Sequence, residues 1–177
     1  MHGDATAPDS LALRKRSRWL VRLVWLLGLV LAAGVVGYVT THPEPLPRNG
    51  GLVTATTPVG EPVFVGVFGP GTGFDRSIDI SGVKVFATSP VPVTITAHLC
   101  RGGSVGVTTD PLVFCSEVVP TEGATMTAGD EIVLEIVSDE PGVVQIDPVK
   151  IAYRENFRWA TQRAGSRSVV TILATGS

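Results

Sequence analysis

The chain has 177 residues, with 14 Lys+Arg against 16 Asp+Glu, 17% charged side chains, 44% apolar ones and two Cys. That length holds one domain of ordinary size plus an anchoring or targeting segment. A net charge of -2 argues against nucleic acid as a partner, since phosphate neutralisation needs clustered Lys and Arg. The apolar fraction excludes a disordered chain, and two Cys build neither a disulfide-dense miniprotein nor a four-Cys zinc site.

The near-neutral total conceals a partition. Residues 1–22 carry Arg14, Lys15, Arg16, Arg18 and Arg22 against Asp4 and Asp9, a net of +3. From residue 40 onward nine basic side chains face fourteen acidic ones, a net of -5. Between them Leu23 to Thr41 run for nineteen residues without a charge. As a helix rising about 1.5 Å per residue, this run nearly matches the ~30 Å hydrocarbon core of a bilayer. Trp19 and Tyr38 fall near its two ends, where amphipathic rings are preferred at membrane interfaces.

The expected order is therefore a basic cytoplasmic tail over 1–18, a transmembrane helix over 19–40, a Pro-rich stalk over 41–62 and a β domain over 63–177. Basic residues before the helix predict an N-terminus in the cytoplasm and an exported C-terminal domain. An uncleaved signal-anchor is expected over a cleaved signal peptide, whose apolar region is shorter and ends at a small-residue site outside it. No Cys near the end of the run suggests a lipoprotein. Gly28 with Ala32 and Ala33 with Gly37 form small-xxx-small pairs, which are also common in membrane helices that do not associate. In the stalk, Pro43, Pro45 and Pro47 predict an extended, semi-rigid spacer, while LVTATT at 52–57 fits either a first edge strand or more spacer.

From residue 63 the pattern is strand after strand. VFVGVF at 63–68 is β-rich and ends in the turn-forming GPGTG. The runs 78–89, 91–100, 131–138, 143–155 and 167–175 alternate apolar and polar residues with period two, and FRWATQ at 157–162 adds a further strand. In 91–100, Val93, Ile95, Ala97 and Leu99 share one face, and Thr94, Thr96 and His98 share the other. Pro148 predicts a bulge or an edge within 143–155. Turn residues punctuate the whole region, and no amphipathic helix of three turns follows residue 41. This is an all-β pattern, expected as an antiparallel β-sandwich or jelly roll ectodomain preceded by one transmembrane α-helix.

Cys100 and Cys115 both fall in the exported part and are expected to form a structural disulfide. Their separation is far shorter than an immunoglobulin inter-sheet pair, so they do not mark that fold. An enzyme of the sortase type would need a Thr-Leu-x-Thr-Cys strand, but LVF precedes Cys115 and AHL precedes Cys100. His98 is the only His beyond the stalk, and its ring is expected to stack on the disulfide or face solvent. GPGTG lacks the Lys-Ser/Thr of a phosphate loop, there is no GxSxG, and the acidic pairs in turns lack the spacing of a calcium loop. Nothing in the sequence requires a cofactor or a metal.

One stretch has a different texture. YRENFRWATQRAGSR gathers Arg154, Arg158, Gln162, Arg163 and Arg167 around Phe157 and Trp159, the composition enriched at protein interfaces. Arg154, Arg158, Trp159, Gln162 and Arg163 form a candidate partner patch; the plainer alternative is a hairpin with Trp159 in the core and solvated arginines. VKIAYRENFRWATQ resembles a C-terminal stretch of uncharacterised exported or single-pass membrane proteins of actinobacteria. The resemblance covers about the last 35 residues and implies no known activity.

The sequence thus predicts a membrane-anchored extracytoplasmic module, non-catalytic, that binds or positions an envelope protein or wall polymer. Its expected contact with lipid is through residues 19–40. Two alternatives are an envelope enzyme or redox factor using Cys100, Cys115 or His98, and a structural subunit of a membrane complex.

Overall fold

The computed structural model describes residues 18–47 and 50–174, and the chain divides into two units, Met1–Val39 and Thr40–Ser177. Apart from Arg18, the basic tail lies outside the described residues.

The first unit holds all but the last two residues of the helix α1, Arg18–Thr41. Its stretch Trp19–Tyr38, 20 residues of mean hydropathy 2.3 with none of them buried, is long and apolar enough to cross a membrane. Leu, Val and Ala carry the helix, and it stops just before His42-Pro43, because a residue preceding proline is driven out of the α region.

The second unit is an all-β sandwich. Its thirteen strands among the described residues are β1 Leu52–Pro58, β2 Val63–Phe68, β3 Ile78–Lys84, β4 Ala87–Thr88, β5 Thr94–Arg101, β6 Val107–Thr108, β7 Glu117–Pro120, β8 Thr125–Met126, β9 Glu131–Val137, β10 Gly142–Ile146, β11 Val149–Glu155, β12 Arg158–Ala164 and β13 Arg167–Leu173. They form three sheets, ordered β1-β13-β10-β4, β12-β11-β3-β8 and β6-β2-β9-β5-β7. All pairings are antiparallel except β1 with β13, which run parallel from Leu52↔Arg167 to Pro58↔Leu173. LVTATT is therefore an edge strand of the domain and not spacer.

One apolar cluster collects inward side chains from all three sheets, among them Val65, Ile80, Leu134, Val144, Ile151, Tyr153 and Val170. Central β9 buries Ile132, Val133 and Leu134 in succession, because its sheet is covered on both faces. Ile132 and Leu134 enter the main core, whereas Val133 joins Cys100, Cys115 and Val105 in a second, small cluster on the other side.

Two runs expected as single strands each divide between two sheets. Over 78–89, β3 belongs to the second sheet and β4 to the first; over 143–155, β10 belongs to the first and β11 to the second. The two runs turn the corner side by side, where the Asp147 amide donates to the Phe86 carbonyl at 2.9 Å. Pro148 stands at that corner, neither bulged within a strand nor on an edge strand, and the missing donor costs no ladder bond there. Inward parity also changes along each run. Ile78 and Ile80 point in, and the pairing then shifts by one residue opposite Ala152/Tyr153, so that Val83 becomes the inward partner of Ile151. Val144 and Ile146 point in before the corner, and Val149, Ile151 and Tyr153 after it.

The proline-rich stretch corrects a further expectation. Pro43 and Leu46 are buried, and Leu46 belongs to the main core. With three residues per turn, a polyproline-type backbone sets positions 43 and 46 on one face. Residues 43–47 thus belong to the domain, not to a free spacer. The β domain starts some twenty residues earlier than residue 63.

Candidate interaction face

The candidate patch is built on the β11–β12 hairpin. Glu155 pairs with Arg158 across a two-residue loop, and Asn156 takes the positive φ, 56°, that such loops need at a central position. Phe157, at the tip, is 89% exposed. Behind it Arg154 faces Trp159 across the ladder, with its guanidinium 5.5 Å from the ring centroid. Trp159 is 61% exposed, so it is a surface residue and not part of the core. Arg154 also bonds the Asp79 carboxylate at 2.9 Å on neighbouring β3. That bond, helped by one from the Thr125 hydroxyl, holds the Asp79 carboxyl below the usual carboxylate range.

Strand alternation separates the five predicted patch residues. Arg154, Trp159 and Arg163 are exposed on the outward face, whereas Arg158 and Gln162 have the inward parity of Ala160 and Ala164. Gln162 has a structural role. Its amide oxygen accepts from the Leu46 N–H at 2.8 Å, and its amide nitrogen donates to the Leu46 carbonyl at 2.9 Å. Arg76 completes the clamp, donating to the carbonyls of Glu44 at 2.8 Å and Pro45 at 2.9 Å and to the Glu155 carboxylate at 2.9 Å. The Tyr153 hydroxyl donates to the Glu44 carbonyl, and burial raises its pKa. Prolines at 43, 45 and 47 leave few N–H groups to satisfy in this stretch, so two long side chains and one hydroxyl suffice to fasten it.

The outward face has more on it than the sequence suggested. Lys150 is paired with Lys84 of β3 on one side and Arg163 of β12 on the other, so three exposed cations stand in one row across adjacent strands. Among the described residues no carboxylate forms a salt bridge with any of them. Phe86 takes Lys84 at 5.2 Å and Arg163 at 5.0 Å from its ring centroid. The next row is Gly82, Ala152 and Thr161, all short, and beyond it lies the Arg154–Trp159 pair. A trough one row of short side chains deep therefore separates the cations from the tryptophan, whose rows stand four residues, about 13 Å, apart along the strand. His42 lines the Trp159 end of that trough, together with Ala152, Ala160 and Thr161. Lys84, Lys150 and Phe86 escaped sequence reasoning, because their juxtaposition depends on pairing between segments some seventy residues apart.

Comparisons of the chain with protein-family models, curated proteins and solved structures found no match.

The cysteine region has a different chemistry. Cys100 and Cys115 form a disulfide, as expected, and no free cysteine remains. Gly102 has φ 61°, and a Cβ on Gly103 would lie 1.9 Å from the Phe114 carbonyl oxygen, so the loop needs both glycines. Asp110 caps a short 3-10 turn at Pro111–Val113, accepting from the Leu112 N–H at 3.0 Å. Leu112, Val113 and Phe114 stand exposed beside it. The Glu131 carboxylate accepts a short bond from the Val105 N–H, and burial pushes its carboxyl above the usual range despite that bond. His98 bonds the Glu135 carboxylate across the ladder at 2.8 Å, with the Phe64 ring 6.3 Å away. It is tied to a neighbouring strand instead of facing open solvent. Among the described residues no three His, Cys, Asp or Glu side chains group as metal ligands.

Proposed function

We propose that this chain is a single-pass membrane protein, N-terminus in the cytoplasm, whose exported β-sandwich acts as a binding or positioning module without catalytic chemistry of its own. Three features support the topology: an apolar helix of spanning length, a basic flank before it, and a disulfide in the part that follows. The observation that carries the binding role is the exposed outer face of the β3–β11–β12 sheet. Three adjacent cations without carboxylate partners cost a domain stability unless an anion lies over them, and a tryptophan that is 61% exposed and stacked on an arginine stands beside them.

The test is capture of envelope components by the full-length protein in detergent, wild type against Trp159→Ala. The expected result is loss of the partner from the variant at unchanged folding. Equal recovery of every partner would remove this face from the function.

A further inference from the structure

We infer that the outer face of the β3–β11–β12 sheet is a docking surface for anionic phospholipid headgroups of the bilayer that anchors the chain. The inference rests on the reading of α1 as a membrane anchor and names the ligand of the face proposed above.

A short connection limits the reach of the domain. Thr41 ends α1, and Leu46 is 2% exposed, locked into the core and held at both its backbone polar groups by Gln162. Five residue steps separate the two, and fully extended chain covers at most about 3.6 Å per residue, so the core attachment lies within about 18 Å of the helix end. A domain of this size has a radius of gyration of about 14 Å. An unattached spacer over 41–62 would have allowed separations several times larger.

His42, the first residue after the helix, lines the trough between the cationic row and Trp159. The residue that follows the helix in the chain therefore belongs to the outer face of this sheet, and not to the disulfide loop.

The face is also complementary to a layer of anions. Lys84, Lys150 and Arg163 stand about 5 Å apart on neighbouring strands, where like charges repel unless an anion lies over them. Their aliphatic stems, with the Phe86 ring against Lys84 and Arg163, give the row an apolar base, leaving the charged ends outward. The Gly82–Ala152–Thr161 trough gives a phosphate room to approach, and Trp159 and Phe157 supply the amphipathic and apolar rings that favour the interface. Phosphodiester headgroups match all three features: they are anionic, repeated across a plane, and next to an apolar layer.

The test uses the full chain in nanodiscs of phosphatidylcholine alone or with phosphatidylglycerol. Lys84 and Lys150 are the only lysines after residue 15, so a water-soluble amine reagent followed by peptide mass spectrometry reads this face directly. Each amine is expected to label about fivefold more slowly in the anionic discs. The difference should vanish at 1 M salt, where the Debye length falls to about 3 Å. Arg163→Gln should shrink the slowing at both lysines. Equal labelling in the two lipids overturns the proposal. So does protection by a soluble polyanion, such as dextran sulfate, without protection by anionic lipid; that outcome would assign the face to a polymer while leaving the binding-module reading intact. Failure of the chain to enter zwitterionic discs at all would instead overturn the anchor reading, and the lipid inference with it.

Discussion

The disulfide loop and the β3–β11–β12 outer face lie in one domain and use their polar groups in opposite ways. In the loop, the chemistry is closed inward: Cys100 and Cys115 are joined and buried, and Glu131 is turned in to hold the Val105 amide. On the face, it is open: three neighbouring cations lack carboxylate partners among the described residues, and Trp159 is surface-exposed. The two carboxylates nearest each region differ in the same sense. Burial raises the Glu131 carboxyl, whereas the Arg154 bond lowers that of Asp79. The contrast separates residues that stabilise the fold from residues whose arrangement costs stability, and it is the second kind that points to binding.

Opening the closed region should have the largest effect. Replacing both cysteines by serine is expected to cost about 3 kcal/mol, because the unfolded chain regains the freedom of the loop. Equilibrium unfolding of the full-length protein in detergent would register this, and a loss near zero would mean that the loop is held without the bond.

Leu46→Ala should cost about 2–3 kcal/mol by removing a buried side chain from the main core. Surface-like behaviour, with a change under about 0.5 kcal/mol, would return residues 43–47 to the status of a spacer.

Glu131→Gln tests the closed region through pH. A carboxyl with a raised native pKa contributes stability that is fully present below its unfolded value, about 4.3, and is lost as pH rises through its native value. Melting temperatures of wild type and variant should therefore move apart in the variant's favour between pH 4 and neutrality, since Gln can still accept from Val105. Asp79→Asn should behave in the opposite sense. The lowered native pKa of Asp79 contributes stability present above its unfolded value and lost as pH falls, so the variant should suffer at neutral pH and lose its disadvantage in acid. Parallel melting curves for either variant would refute the corresponding assignment.

The smallest effect belongs to the open face. Lys150→Ala, at the centre of the cationic row, should stabilise the protein by about 0.2–1 kcal/mol by relieving repulsion from Lys84 and Arg163. The gain should shrink in high salt. A salt-independent loss would mean that Lys150 has a structural role.

Much of this organisation is legible in the sequence. Period-two alternation marked β5, β9 and β13, β-rich composition marked β2, the uncharged run marked α1, and two cysteines fifteen residues apart marked the disulfide loop. The corners were not legible, because alternation within 78–89 and 143–155 continues through residues where the chain changes sheet and inward parity flips. The role of residues 43–47 was obscured for a different reason. Three prolines have the local signature of a spacer, and only Gln162 and Arg76, distant in sequence, make them part of the domain. The candidate face was half legible: composition drew attention to Arg154, Trp159 and Arg163, but Lys84, Lys150 and Phe86 join them only through sheet register.

The proposal that the open face docks on lipid needs residues 43–47 to be fastened to the domain, and amide hydrogen exchange at Leu46 tests that most directly. In the full-length protein in nanodiscs, the Leu46 N–H, bonded to the Gln162 side chain, should be protected together with the amides of β11 and β12, and Gln162→Ala should release it first. Exchange of Leu46 at the rate of a free peptide, with β11 and β12 still protected, would contradict the account by making residues 41–47 a loose tether.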